Sequence, residues 1–502
     1  MSSSDQTACR NSGKDVLQKV RSKAEADKLH DSAAFRREVS SKFMQMCNKS
    51  PYPWQLDVAE ATALRLNCIT IAGTGAGKTM PFVMPLMTDK TKSKRVLIIS
   101  PLDELENDQA LRFQKMGLSA VAVNGTSYTP QLHKELEDGK YQVVITSPEM
   151  CFRDTQFAPL LLKEAFTKTF VSIVIDEAHC IHTWGPEFRT DFAELAQLRS
   201  WFTDVPILAT SATIPPAYLT KLIESLDLMS EAKYEKLCIF NLGNDRPNLI
   251  PIICRMAKAK DFSDLDFVLD EVNSNKPLQR TMLFVNSRAT ARLVCLYLRS
   301  LLPATLQMQV DFLHSMRDND AKKDVMRRFR SKEIRILVAT EAAGMGMDIS
   351  DIVRVIQYGV PDSITTWAQR YGRAGRNGQL AVVILLVEPS VFQRVKARGE
   401  KQPETSSEDE DNTDGQQPSD PDKSTSDEDS VGDTGADGDS TKIKYKKNVD
   451  FSLREYLETK QCRRKVSNSY FDNPLCPESQ RDTGSNGRGP CCDLCVYGVR
   501  SV

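Results

Sequence analysis

The segment Ala72-Gly-Thr-Gly-Ala-Gly-Lys78-Thr79 has the residue types and spacing of a phosphate cradle. Small residues around Thr74, Gly75, Ala76 and Gly77 let successive backbone N–H groups close around a phosphate chain. Lys78 can reach the β- and γ-phosphates, and the Thr79 hydroxyl can ligate Mg²⁺. Ala72 stands where the strict pattern has glycine. Such a site needs a carboxylate at the end of a buried strand, and Ile173-Val-Ile-Asp176-Glu177-Ala178-His179 supplies one. Asp176 would hold Mg²⁺ through water, and Glu177 would orient or deprotonate the attacking water. Alone, each motif could be a glycine-rich turn or a strand ending in a solvated acidic pair; together they point to ATP hydrolysis.

A second chemistry lies at the other end. Eight of the 13 cysteines are scattered from Cys9 to Cys295, none falls between 296 and 461, and five crowd into the last 41 residues. Cys462, Cys476, Cys491, Cys492 and Cys495 include one C-x-x-C step, 492 to 495. That step plus two distant cysteines is the ligand set of a closed, tetrahedral zinc site, with one cysteine to spare. The alternative is five free thiols in a loose tail. Arg463, Arg464 and Lys465 read equally as contacts to a nucleic-acid backbone or as a solvated face.

These groups need a scaffold that brings distant segments together. Near-continuous apolar runs at 68–72, 96–100, 143–146, 173–176 and 207–210 read as strands buried on both faces, and a second set follows at 282–285, 336–339, 353–356 and 381–386. Helical patterns separate them, so the expected fold class is α/β with two tandem domains built on parallel sheets. The expected boundaries are a polar, helical or loose lead-in at 1–45, a first domain at 46–236, a second at 237–392, an acidic linker at 393–446 and a small helical zinc module at 447–502.

The net charge of −1 conceals a segregation. Residues 400–440 hold 15 Asp or Glu against two Lys, a local net of −13, so the rest carries about +12. That acidic stretch has too little apolar surface to offset its ordering entropy and is expected to be disordered. The basic remainder suits a polyanionic partner. The longest clean apolar run, Leu380 to Val387, is far too short to span a membrane, and the polar N-terminus lacks a signal-peptide core. A soluble, intracellular chain without a membrane partner is expected.

Taken in order, the motifs resemble those of a superfamily 2 helicase, specifically the RecQ family of DNA helicases, over roughly residues 50–390. The resemblance implies two RecA-like domains with ATP between them. It makes Gln55, in Tyr52-Pro-Trp-Gln55, the reader of adenine. It places Ser100-Pro101-Leu102, Asp108-Gln109 and Ser147-Pro148-Glu149 at strand ends that hold the nucleic-acid backbone. Ala209-Thr-Ser211-Ala-Thr213 would link hydrolysis to domain closure. In the second domain Asn286, Arg288 and Thr340 fall in DNA-contacting motifs, and Gly346 and Asp348 in a motif at the nucleotide. Gln369-Arg-Tyr-Gly372-Arg373-Ala-Gly-Arg376 would supply Arg376 as the finger on the γ-phosphate, with Arg373 and Gln369 beside it.

The loop around Trp184 resembles the RecQ aromatic-rich loop, with Trp184 to stack on a base and Arg189 to pair a phosphate. Pro186 and Thr183 replace the usual His and Gln, which predicts weak coupling of strand binding to hydrolysis. Gly489 stands where the family has a zinc ligand, so Cys476 is taken as its substitute and Cys491 as the alternate.

The implied activity is ATP- and Mg²⁺-dependent 3′→5′ unwinding of single-stranded and tailed duplex DNA in nuclear repair and recombination, with a zinc module. A winged-helix domain, which often follows in RecQ proteins, is not expected after Cys495. The competing readings are an RNA-dependent DEAH-box ATPase and a nucleotide-switched DNA-binding module with little unwinding.

Overall fold

The structure is a computed structural model that describes residues 12–101, 103–183, 194–228, 237–258, 262–274, 276–341, 349–395, 445–474 and 491–497. Trp184, Arg189, Gly346, Asp348, Cys476 and the acidic stretch 400–440 lie outside these residues. One compact unit comprises 1–388 with 449–502, and a second comprises 389–448. Within the second, Arg394 bridges Tyr445 in antiparallel fashion.

Two parallel sheets organise the larger unit. The first contains β1 (Asn67–Ala72), β2 (Arg95–Ile99), β3 (Ala120–Val123), β4 (Val143–Thr146), β5 (Phe170–Ile175), β6 (Ile207–Ser211) and β7 (Leu237–Gly243), in the order β3-β4-β2-β5-β6-β1-β7. The second contains β8 (Leu249–Arg255), β9 (Thr281–Val285), β10 (Val310–Leu313), β11 (Ile336–Ala339), β12 (Arg354–Tyr358) and β13 (Ala381–Val387), in the order β10-β11-β9-β12-β13-β8. Successive residues of a strand face opposite sides, and in the first sheet both sides are apolar. Ile69, Leu97 and Ile173 enter one core cluster, while Cys68, Val96 and Val174 enter another. That double burial is why these strands show no polar alternation.

The sheet corrects the expected boundary at 236/237. β7 pairs with β1, Cys68 opposite Cys238, so the first domain runs on through Gly243. β7 and β8 each end their sheet, where shorter apolar runs suffice. The edge position of β8 also tolerates Pro251, which obscured it as a strand in the sequence.

The N-terminal lead-in is likewise built into the first domain. Helix Ser12–Ala26 buries Leu17 among Cys238 and Phe240, and Gly13 lies so close to β7 that a Cβ there would sit 2.2 Å from the Ile239 carbonyl oxygen. Helix Ser32–Cys47 is capped by Asp31, whose carboxylate accepts from Ala34 N. Both helices are pinned through Glu60, which is fully buried in helix Pro53–Ala63. Its carboxylate accepts from Arg21 at 2.7 Å and Arg36 at 2.7 Å, and lies 3.0 Å from His30 Nε2.

Burial pushes the Glu60 carboxyl up, but the hydrogen bonds from Arg21, Ser32, Arg36 and His30 outweigh it and hold the pKa at about 2. A depressed carboxylate stabilises the fold above its unfolded value of about 4.3, and the contribution is lost as pH falls toward 2. Glu60→Gln should therefore lower Tm at pH 7, by at most about 3 kcal/mol in stability. The gap between the variant and the parent should close between about pH 4 and pH 2 in thermal melts.

The C-terminal module consists of helices Phe451–Glu458, Arg463–Tyr470 and Asp493–Tyr497. Tyr456 receives the indole N–H of buried Trp367 at 3.4 Å, and Asn473 Nδ2 donates to Asn244 Oδ1 at 2.8 Å. The module thus touches the second domain and the junction between the domains.

Candidate active site

The cradle and the acidic pair of the proposed ATP site sit at the carboxyl ends of the parallel strands β1 and β5, where backbone N–H groups and loop side chains meet. β1 feeds the loop 73–79. Gly75 and Gly77 adopt φ of +87° and +86°, and a Cβ at Gly77 would lie 2.8 Å from Gln55 Nε2. Glycine is required there because the loop closes on Gln55, which donates to Gly77 O at 2.9 Å and accepts from Tyr52 N at 2.8 Å. The following helix is short, Met80–Val83, and tightens to a 3₁₀ turn at Met84–Thr88. Pro81 is tolerated in the first turn, but Pro85 lacks the N–H that would continue the α-helical ladder.

Lys78 Nζ lies across the cradle on Ala72 O at 3.0 Å. Burial lowers its pKa; Glu177 and Asp176 oppose the shift, while Arg376 and Arg373 add to it. Cations from both domains therefore crowd toward one point. The second-domain loop after helix Ile364–Tyr371 abuts the cradle directly: a Cβ at Gly372 would be 3.3 Å from Thr74 Oγ1, and one at Gly75 would be 3.9 Å from Arg376 Cγ.

Asp176 and Glu177 follow β5. Asp176 accepts from Gln109 Nε2 at 2.7 Å, Thr210 Oγ1 at 3.1 Å and Glu177 N at 3.0 Å, which fixes the carboxylate plane. Burial and the adjacent Glu177 charge raise its pKa. Burial pushes Glu177 up as well, but the His179 hydrogen bond and the charges of Lys78, His179 and Arg373 drive it far below the usual carboxylate range. Glu177 also holds φ at +48°, a left-handed conformation that a non-glycine residue adopts at a cost of about 1–3 kcal/mol. The strain aims its carboxylate back into the site.

A chain of polar contacts runs from Glu177 to the second domain. His179 Nδ1 lies 3.3 Å from Glu177 Oε2 and 3.0 Å from Ser211 Oγ. Thr213 N donates to Ser211 Oγ at 3.2 Å, and Gln369 Nε2 of the second domain donates to Thr213 Oγ1 at 2.9 Å. Gln369 thus meets the Ser-Ala-Thr segment at the domain interface.

The residues expected to touch nucleic acid divide. Ser100 and Pro101 are buried, and Ser147 uses its hydroxyl to cap helix Pro148–Arg153 by accepting from Met150 N. Gln109 faces Asp176 instead of the surface. Asn286 is tied into a network in which Arg370 donates to it at 3.0 Å and to Gln357 Oε1 at 2.6 Å while pairing with Glu341. Arg288 is exposed and, with Arg317 and Lys322, contributes to the positive surroundings of His314, whose pKa is lowered first by burial and then by these charges. Thr340 closes β11 with its N–H on Leu313 O.

The cysteines come together from opposite ends of the module. Cys492 Sγ lies 3.9 Å from Cys462 Sγ and 3.5 Å from Cys495 Sγ, and all three sulfurs fall within 4.8 Å of one another. Cys491 Sγ is 3.4 Å from Cys462 Sγ. Four thiolates at a Zn–S distance of about 2.3 Å would sit about 3.8 Å apart, so these sulfurs fit a tetrahedral zinc site.

Arg463 and Arg464 do not form a solvated face but pair with acidic residues of the chain. Arg463 is buried and donates through Nε to both Asp493 oxygens, at 2.7 and 2.9 Å, while Asp493 also accepts from Ile253 N. Arg464 pairs with Asp245. Only Lys465 of the three is exposed.

Two parallel sheets in tandem, a glycine cradle on one and an arginine loop from the other define a helicase core of superfamily 2. Residues 52–222 match the DEAD/DEAH box helicase family and residues 263–378 the helicase conserved C-terminal domain. The chain is 27% identical over 453 residues to the bifunctional 3′-5′ exonuclease/ATP-dependent helicase WRN of Mus musculus, covering 89% of this chain and 28% of that protein. It is 28% identical over 344 residues to the ATP-dependent DNA helicase RecQ of Pasteurella multocida, covering 67% and 50%. The fold is similar to that of DUF1998 helicase MrfA bound to DNA, with a TM-score of 0.58, 19% identity and coverage of 70% of this chain and 51% of that one. Similar folds are also known bound to RNA. Within superfamily 2 the chain is RecQ-like. It spans half or less of the length of the mouse and Pasteurella relatives. Among the described residues no helix is long and apolar enough to cross a membrane.

Proposed function

We propose that this chain is an ATP-driven motor that moves 3′→5′ on single-stranded DNA and unwinds tailed duplexes in repair and recombination in the nucleus. The observation that carries the reading is the convergence of Lys78, Asp176 and Glu177 of one domain with Arg373 and Arg376 of the other on a single phosphate cradle. Mg²⁺, held through Thr79 and through water on Asp176, would neutralise phosphate charge. Gln55 is poised to read adenine beside the cradle. Glu177, kept ionised, accepts from the attacking water and orients it; with so low a proton affinity it is a weak base until nucleotide changes its surroundings.

Arg376 stabilises charge on the transferring phosphoryl, an effect of ~10³–10⁵ in related NTPases, and because it comes from the second domain, hydrolysis and domain opening are coupled. The names of the relatives in mouse and Pasteurella support helicase action, and the latter supports DNA. On this reading Trp184 stacks on a base and Arg189 pairs a phosphate. Arg288 and Thr340 line the second-domain track, Ser100, Pro101 and Ser147 shape the first, and Gly346 and Asp348 complete the nucleotide site. Cys462, Cys492 and Cys495 hold zinc with a fourth thiolate from Cys476 or Cys491.

Strand displacement on duplexes with 3′ or 5′ single-stranded tails tests this directly. ATP should drive unwinding of the 3′-tailed substrate alone, with turnover stimulated by single-stranded DNA. Stimulation by RNA and not by DNA would replace the reading with an RNA-dependent ATPase. ATP-dependent changes in DNA affinity without displacement would replace it with a nucleotide-switched binding module.

A further inference from the structure

The loop 372–376, which presents Arg373 and Arg376, is gripped from behind by residues outside the nucleotide site. Arg246 Nη1 donates to Gly372 O at 3.1 Å and Ala374 O at 2.8 Å, and its Nη2 donates to Gly375 O. Asn248 Nδ2 donates to Gly375 O at 2.9 Å and to Gln379 O at 2.7 Å. The fit is tight enough that a Cβ at Gly375, where φ is +54°, would lie 2.6 Å from Asn248 Nδ2. One guanidinium thus fixes three carbonyls of a five-residue loop, and that loop's other side presses on Thr74 and Gly75.

Arg246 is held in turn by the cysteine module. Arg464 Nη1 pairs with Asp245 and donates to Arg246 O at 3.0 Å, while its Nη2 donates to Leu249 O at 2.7 Å and to Cys491 O at 3.5 Å. Asn468 Nδ2 adds a second contact to Asp245 at 3.2 Å. The Arg464 guanidinium is thereby locked to the start of the segment 245–248.

We propose that Arg464 is a positioning residue for ATP hydrolysis. It anchors Asp245 and Arg246 to the C-terminal module, and Arg246 then sets where the arginine loop stands over the phosphates. The cysteine module would act on turnover through this clamp, in addition to any contact it makes with DNA. The proposal rests on Arg376 being the finger. It predicts an effect on the chemical step and little on nucleotide binding, because Gln55, Lys78 and the cradle belong to the other domain.

Steady-state ATPase of the full chain with saturating single-stranded DNA tests it in four proteins: the parent, Arg464→Ala, Arg376→Ala and the double variant. Arg376→Ala should lower kcat by ~10³-fold or more. Arg464→Ala should lower kcat by about tenfold, within the cost of a small misplacement, with KM for ATP within about twofold. In the Arg376→Ala background the same change should have almost no further effect, since a misplaced loop without its finger has nothing left to lose. Equal factors in both backgrounds, or an unchanged kcat in Arg464→Ala, would overturn the clamp. An unchanged kcat in Arg376→Ala would overturn the assignment of the finger and the clamp with it. If Arg464→Ala does not fold, Asp245→Asn decides: it removes the charge from a partly exposed partner and should show the same loss confined to kcat.

Discussion

Lys78→Ala should leave ATP turnover lower by at least ~10²–10³-fold, the scale for removing one preorganised donor from developing charge. The site makes the direction of the accompanying stability change equally specific. Without nucleotide, Lys78 makes one hydrogen bond, to Ala72 O, and shares the cradle with Arg373 and Arg376, which help to depress its pKa. Removing it relieves like-charge crowding at the cost of one hydrogen bond and weaker support for Glu177. The melting temperature without nucleotide should therefore stay within a few degrees of the parent. The upward shift in Tm on adding Mg²⁺·ATP should shrink sharply, because that shift measures binding to the folded state alone. DNA binding should survive, since among the described residues none of the expected DNA contacts hydrogen-bonds to Lys78. A variant that melts well below the parent without nucleotide would mark Lys78 as a structural residue and sink its assignment to the phosphates.

How much of this was legible beforehand depended on whether a residue's partner lay nearby in sequence. The strands at 143–146 and 336–339 were read at their observed bounds because burial on both faces writes itself as an unbroken apolar run. β3, with its short Ala-Val-Ala-Val core, and β10, where Asp311 interrupts the run, were missed. Asp311 is polar for a reason visible only in three dimensions: Arg317 and Arg328 meet it from the following turn and helix. The cradle and the Asp176-Glu177 pair were legible because each is a local motif with a fixed spacing.

Gln109, by contrast, sits 67 residues from the carboxylate it holds, and no spacing rule connects them. The same limit explains the basic run at 463–465. Its composition reads equally as a phosphate track or a solvated face, yet Arg463 and Arg464 are paired internally because their acidic partners, Asp493 and Asp245, arrive from 30 and 219 residues away. A charge run announces itself in sequence; the distant carboxylate that claims it does not.

Cys492→Ser should remove zinc and release the C-terminal module. Cys492 is fully buried and its sulfur lies 3.9 Å from that of Cys462 and 3.5 Å from that of Cys495, so replacing it opens the cluster. Structural zinc contributes ~10–16 kcal/mol in small zinc-finger peptides, comparable to the whole stability of an ordinary domain. The module's remaining hold includes the buried Arg463–Asp493 pair and the contact of Tyr456 with Trp367. Asp493 follows Cys492 directly, so the pair should loosen when the metal leaves.

Metal analysis should fall from one zinc per chain to none, and hydrogen exchange should rise across 451–470 while β1 and β2 stay protected. A strong chelator should reproduce both changes in the parent. Cys476→Ser and Cys491→Ser then identify the fourth ligand. Cys491 adjoins Cys492 and, among the described residues, falls outside the group of three sulfurs that lie within 4.8 Å of one another, so Cys476→Ser should cost the zinc and Cys491→Ser should keep it. The reverse result would exchange their roles. A metal-free parent with the same protected helices would instead show that the three sulfurs pack as thiols, and that the ion pairs and the Tyr456 contact hold the module in place without metal.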